Sequence, residues 1–179
     1  YAGHDSTRFA VVRYGNVMGS RGSVIPFFSG ISEDKSIPIT HPDMTRFMIS
    51  LEHAVELVWH AFEDMVGGEI YVKKIPSMKV TDLAETIAPG RKQEIIGIRP
   101  GEKMHEILIP EDESRNVLEF ENHYVVQPIQ SFWGNKIGIL GGVSSSEGFK
   151  YASNCNCENL SKEELEALLI DFLPEIKTS

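Results

Sequence analysis

Arg13-Tyr14-Gly15-Asn16-Val17-Met18-Gly19-Ser20-Arg21-Gly22-Ser23-Val24-Ile25-Pro26-Phe27-Phe28 runs from an apolar strand into a glycine-spaced loop holding Asn and Arg, and from there into a helix start. In an open α/β sheet, small molecules bind just beyond the carboxyl ends of strands, where loop backbone can come close to the ligand. The spacing predicts a strand over 8–14. Gly15, Gly19 and Gly22 permit positive φ and close approach, Asn16 offers both a donor and an acceptor, and Ser23 can cap the following helix. Taken alone, an ordinary strand-to-helix turn explains the same residues, because glycine turns are common.

Working outward, strands and helices alternate, which predicts α/β architecture. A helix is expected over 24–34, with Pro26 in the first turn where proline is tolerated. Short strands are expected over 37–40 and 47–50. The clearest helix is 51–65: Leu51, Val55, Val58, Phe62 and Met65 fall on one face and are read as core packing, with Ser50 as a cap and Gly67-Gly68 as a stop. Beyond it come a strand over 69–72, a helix over 81–88, a strand over 94–98 and a helix over 103–109 started by Pro100-Gly101. Residues 1–7 read as the end of a helix. The Gly-, Ser- and Asn-rich stretch 131–158 reads as loop or tail. Ser161-Lys162-Glu163-Glu164 forms a capping box before a final helix whose apolar face is Leu165, Leu168, Leu169 and Phe172.

Composition bounds the function classes. A hydrophobic content of 41% over 179 residues suffices for a core. The formal charge of -9 argues against nucleic acid, whose binding needs clustered Lys and Arg. No apolar stretch approaches the roughly 20 residues that cross a bilayer, so no membrane partner is expected. Cys155 and Cys157 lack a second pair or a His cluster at ligand spacing, so no metal is expected and the thiols are read as unpartnered in a reducing, cytoplasmic compartment. His105 is expected at the surface or in a cap, although it lies near a candidate ligand segment.

Two further segments, Pro38-Ile39-Thr40-His41-Pro42-Asp43-Met44-Thr45-Arg46-Phe47 and Gly97-Ile98-Arg99-Pro100-Gly101-Glu102-Lys103-Met104-His105-Glu106, follow the first in a characteristic order. Together with Gly68-Glu69-Ile70-Tyr71-Val72-Lys73-Lys74-Ile75-Pro76-Ser77-Met78-Lys79-Val80, they resemble the extended short-chain dehydrogenases/reductases that act on nucleotide sugars. The nearest branch is the inverting UDP-N-acetylglucosamine 4,6-dehydratases, the type that opens pseudaminic acid synthesis and is related to capsule and flagellin-glycosylation proteins. The resemblance covers residues 1–128. It implies the end of a Rossmann-like parallel sheet plus a small α/β substrate-binding subdomain, followed by an extension over 129–179 with a final helix.

Neither the Gly-x-x-Gly-x-x-Gly phosphate loop nor the Tyr-x-x-x-Lys proton-transfer pair of that family occurs in the sequence. The resemblance implies that both lie upstream of Tyr1, that the chain is the carboxyl-terminal half of an NADP-dependent lyase, inactive by itself, and that the intact enzyme is a homo-oligomer. No catalytic residue is expected here. The implied UDP-sugar contacts are Asn16, Val24, Thr40, Arg46, Arg99 and Glu102. Arg46 and Arg99 would clamp the diphosphate, Glu102 would accept from the ribose hydroxyls, Thr40 would lie along the uracil, Asn16 would reach diphosphate or sugar, and Val24 would make a helix-start contact. Tyr14 and Val17 would line the nicotinamide side of the cofactor. Simpler roles stay open: either arginine as a surface partner of Asp43 or Glu102, and Glu102 as a first-turn acid. A nucleotide-sugar epimerase or reductase, or a non-catalytic UDP-sugar-binding module, would share these residues.

Overall fold

The computed structural model of the chain describes residues 7–129 and 141–170. Along them run β1 (Val11–Arg13), β2 (Asn16–Val17), α1 (Val24–Ser29), β3 (Ile37–Ile39), β4 (Thr45–Ile49) and α2 (Leu51–Asp64). There follow β5 (Ile70–Lys73), β6 (Ser77–Lys79), α3 (Val80–Ile87), β7 (Gln93–Ile95) and β8 (Ile107–Ile109), then a 3-10 turn over Glu111–Asn116. The last elements are β9 (Val117–Glu119), β10 (His123–Val126), β11 (Val143–Ser144), β12 (Tyr151–Ala152) and α4 (Lys162–Ile170). They form two compact units: residues 7–14, 51–74, 107–129 and 141–152 make the first, and 15–50, 75–106 and 153–170 the second. The class is mixed α/β with parallel strand pairs, as expected.

In the first unit a five-stranded sheet has the order β1-β5-β10-β9-β11; β1 and β5 are parallel and the other pairs antiparallel. Helix α2 packs on β1 and β5, and Leu57, Ala61, Tyr71 and Val125 form the core between helix and sheet. The turn after α2 is held by a buried acid. Glu69 is only 2% exposed, and its carboxylate accepts from the Gly67 amide at 2.8 and 2.7 Å and from the Val66 amide at 3.2 Å. Burial is tolerated because each oxygen has a donor.

In the second unit, β2 and β4 are parallel, β4 and β6 antiparallel, and β3 and β7 form a separate parallel pair. Helices α1, α3 and α4 close the core, which includes Ile25, Phe28, Ile37, Ile39, Leu83 and Leu169. The sequence reason is plain in α3, where Val80, Leu83, Ala84 and Ile87 recur at helical spacing on one face. The capping box of α4 forms as expected: the Ser161 amide donates to Glu164 Oε2 at 2.8 Å and the Glu164 amide to Ser161 Oγ at 3.2 Å.

Several sequence expectations are corrected. The helix expected over 24–34 stops at Ser29, because the carbonyls of Ile31, Ser32 and Lys35 turn to the Arg91 guanidinium. In α2 the buried stripe is Ala54, Leu57 and Ala61, whereas Leu51 and Phe62 are 63% and 64% exposed and Val55 and Val58 are exposed too. The helix is apolar on adjacent stripes, and the one with small alanines lets it approach the sheet. The helix expected over 103–109 is an irregular segment leading into β8. The stretch read as loop contains β11 and β12, whose two-residue strands carry no readable period. Residues 1–6 of the helix end expected over 1–7, the whole 131–140 part of that loop and Phe172 lie outside the described residues.

Glu69→Ala should lower stability by roughly 1–3 kcal/mol, since it strands the buried Gly67 amide and the half-buried Val66 amide. Chemical denaturation measures this, and a loss within error would show that the carboxylate is not what satisfies that turn.

Candidate functional site

The site begins with a close backbone approach. A Cβ built on Gly15 would lie 2.4 Å from Phe47 Cβ and 2.7 Å from Phe47 O, so only glycine lets the chain run into β2 beside β4. The pairing then sets Asn16 opposite Met48 and Val17 opposite Ile49. Asn16 Nδ2 donates to Phe47 O at 3.2 Å and to Glu106 Oε1 at 2.9 Å.

Glu106 is fastened on several sides. Its Oε2 accepts from the Phe47 amide at 2.8 Å, its own amide donates to Ser153 Oγ at 2.9 Å, and its Oε1 lies 3.9 Å from Arg46 Nε. Ser153 Oγ is in turn 2.7 Å from Thr45 Oγ1, which is 2.8 Å from His105 Nδ1. Segment 104–106 therefore gives its bonds to β4 instead of to a helix; the Thr45 amide donates to Met104 O at 3.1 Å. His105 belongs to this internal network, not to a cap or to the surface.

Arg46 is half-buried and anchored at one end. Its Nη1 donates to Thr45 O at 2.7 Å and Met104 O at 3.2 Å, and among the described residues Nη2 has no acceptor. Arg99 sits on a tight turn made by Pro100-Gly101: the Glu102 amide donates to Arg99 O at 3.0 Å, and Gly101 has φ 83°. Pro and then a positive-φ Gly at the two central positions are what a type II turn requires. The turn brings Glu102 back on itself, its Oε2 accepting from the Arg99 amide at 3.2 Å and its Oε1 from Thr40 Oγ1 at 3.3 Å. The exposed Arg99 guanidinium has no partner among the described residues. Neither simpler pairing forms: Arg46 does not bond Asp43, and only the Arg99 backbone meets Glu102.

A cleft of about 320 Å³ in this unit is lined by Asn16, Val24, Thr40, Arg46, Arg99 and Glu102. All six residues that the resemblance implied for substrate therefore border one space, although they come from three separated segments. Pro38, Met44, Val80 and Ile96 add apolar wall. Ser23 also borders it. By backbone conformation Ser23 is the N-cap of α1, but its hydroxyl makes no cap bond and has no partner among the described residues, contrary to the capping role expected. Tyr14, exposed beyond β1, and Val17, on β2, lie outside this lining. Among the described residues no group of three or more His, Cys, Asp or Glu could hold a metal ion, and no helix is long and apolar enough to cross a membrane. Sequence reasoning missed Glu106 and Ser153. Glu106 ended a quoted motif, but its role depends on a partner strand that local sequence does not reveal.

Fold and site thus define a mixed α/β chain with two arginines and a carboxylate bordering one cleft. The chain belongs to the family described as polysaccharide biosynthesis protein, whose model matches residues 1–128. It is 50% identical over 172 residues to a UDP-N-acetylglucosamine 4,6-dehydratase (inverting) of Campylobacter jejuni subsp. jejuni serotype O:2, covering 92% of this chain and 52% of that protein. It is 43% identical over 175 residues to a UDP-glucose 4-epimerase of Rickettsia bellii, covering 94% and 51%. The X-ray structure of Pen from Bacillus thuringiensis matches with a TM-score of 0.78 at 36% identity, over 94% of this chain and 50% of that one. The chain spans about half the length of the curated relatives it matches.

Gly15→Ala should destabilise the protein by roughly 1–3 kcal/mol, because the methyl group would overlap the β4 backbone. A denaturant melt that matches the unsubstituted protein would show that the two strands are not held this close.

Proposed function

We propose that the chain supplies the UDP-sugar-binding part of an NADP-dependent lyase, a UDP-N-acetylglucosamine 4,6-dehydratase that inverts carbon 5. Its product would be a UDP-4-keto-6-deoxy-N-acetylhexosamine for pseudaminic acid, capsule or flagellin glycans. The observation that carries this reading is the meeting of Arg46 and Arg99 on one cleft, each with guanidinium hydrogens unspent, beside Thr40 and Glu102. A diphosphate brings two negative charges, and a guanidinium fork grips its oxygens in pairs. Glu102 accepts from ribose hydroxyls, and the short strand ending near Thr40 runs beside the uracil. The relative from Campylobacter favours the dehydratase over other chemistries of the superfamily.

NADP supplies hydride transfer when bound. Tyr14 and Val17 carry no cation and no phosphate-seating loop, so they suit one face of a nicotinamide ring and not the grip on the dinucleotide. What this chain's residues do is hold, orient and neutralise the substrate. The reading places the enzyme in the cytoplasm as a homo-oligomer. A second reading, a UDP-hexose 4-epimerase, is favoured by the Rickettsia relative and shares the same arginines. The two differ in product, a 4-keto-6-deoxy sugar against a C4 epimer.

In the full-length enzyme that this reading implies, Arg46→Ala and Arg99→Ala should each weaken UDP binding about 10- to 100-fold, the equivalent of roughly 1.5–3 kcal/mol for a lost charge-assisted bond, and leave NADP binding unchanged. Arg→Lys should restore part of the loss, and the double substitution should be non-additive because both groups grip one diphosphate. Calorimetric titration of both nucleotides reads this out. Arg99→Ala is the cleaner variant, since its side chain holds nothing else among the described residues. Unaltered UDP affinity in both single variants would remove the assignment.

A further inference from the structure

We infer that Glu106 sets the hydrogen-bonding polarity of Asn16, so that Asn16 presents an oxygen acceptor to an O–H or amide N–H donor on the sugar, and no donor to the diphosphate. This rests on the reading of the cleft as a UDP-sugar site. The Asn16 amide nitrogen has two hydrogens, and two acceptors take them: Phe47 O at 3.2 Å and Glu106 Oε1 at 2.9 Å. Neither partner has a hydrogen to give. Turning the amide over would point Oδ1 at a carbonyl and a carboxylate together, so the chemistry of the neighbours determines which atom is nitrogen.

What Asn16 has left to offer the cleft it borders is Oδ1 with its lone pairs. Phosphate oxygens are acceptors and would meet it unfavourably. A sugar hydroxyl or an N-acetyl amide would meet it well. The two arginines, with hydrogens to spare, then read the diphosphate, and Asn16 reads the hexose.

The arrangement needs Glu106 to stay in place, and it is tied down independently of Asn16. Its Oε2 accepts from the Phe47 amide at 2.8 Å, and its backbone amide donates to Ser153 Oγ at 2.9 Å. Ser153 is fully buried and bonded to Thr45, which is itself buried on β4. Arg46 Nε, 3.9 Å from Oε1, helps to balance the carboxylate charge. Glu106 does not border the cleft, so it acts as a positioning residue through Asn16.

The test is a double-mutant cycle of Glu106→Gln and Asn16→Ala, titrated with UDP, UDP-glucose and UDP-N-acetylglucosamine. A glutamine at 106 keeps an oxygen for the Phe47 amide and must turn its own NH2 toward Asn16, which removes the preference for the acceptor-outward amide. Each single variant should bind UDP-N-acetylglucosamine about tenfold more weakly and UDP with unchanged affinity, and the double variant should be no worse than the weaker single one. An equal loss for UDP-glucose identifies a hydroxyl as the donor; a loss confined to UDP-N-acetylglucosamine identifies the amide N–H. Matched loss for UDP and the UDP-sugars, additive losses, or no loss in Asn16→Ala would overturn the inference. Asn16→Ala alone carries the UDP-against-UDP-sugar comparison if Glu106→Gln melts too low to titrate. Failure of the unsubstituted protein to bind UDP is a different result, since it defeats the reading of the cleft itself, and this inference falls with it.

Discussion

The second unit depends on how near the chain at Gly15 comes to the backbone of β4. With the would-be Cβ only 2.4 Å from Phe47 Cβ, any side chain at Gly15 would push β2 off its partner strand. Everything that borders the cleft on that side inherits this distance. Asn16 reaches Phe47 O only from β2, the Phe47 amide reaches Glu106, and Arg46, the neighbour of Phe47 on β4, has its Nε 3.9 Å from Glu106 Oε1. Dispersion and backbone sterics thus set the geometry, and the polar groups that follow are spent almost completely on one another. At the cleft, hydrogen-bonding capacity without a partner among the described residues is left at Arg46 Nη2, the Arg99 guanidinium, Asn16 Oδ1 and the Ser23 hydroxyl.

That distribution matters in a chain with a formal net charge of -9. Its overall field repels anions, so an anionic ligand has to be held by local, directed cations and not by bulk attraction. Arg46 is pre-aligned by two backbone carbonyls, which lowers the ordering cost of binding. Arg99 is exposed on a type II turn, and ligand would have to order it. On the proposed reading the pair combines one rigid and one adaptable clamp.

Much of this was legible in the sequence, because the informative residues are ones whose chemistry is local. Pro100-Gly101 specifies its turn, Ser161 to Glu164 specifies its cap, and the apolar spacing of α3 specifies its buried face. The six cleft residues are marked by motif likeness, and the fold brings them together from three separated segments. What failed was tertiary. The stripe of α2 that packs is not readable from spacing because several of its faces are apolar, and the sheet takes the one with Ala54 and Ala61. Residues 103–106 have helix-forming composition, yet β4 claims their backbone and side-chain bonds. Glu106 was invisible for the same reason: an acid at a motif's end has no readable role until its partner strand is known.

The most direct test of the account is a crystal structure of the protein with UDP-N-acetylglucosamine bound. The account predicts the diphosphate between the Arg46 and Arg99 guanidinium groups, the ribose hydroxyls at Glu102 and the uracil along the strand that ends near Thr40. A nucleotide found away from this cleft, or within it with the diphosphate remote from both arginines, would contradict it.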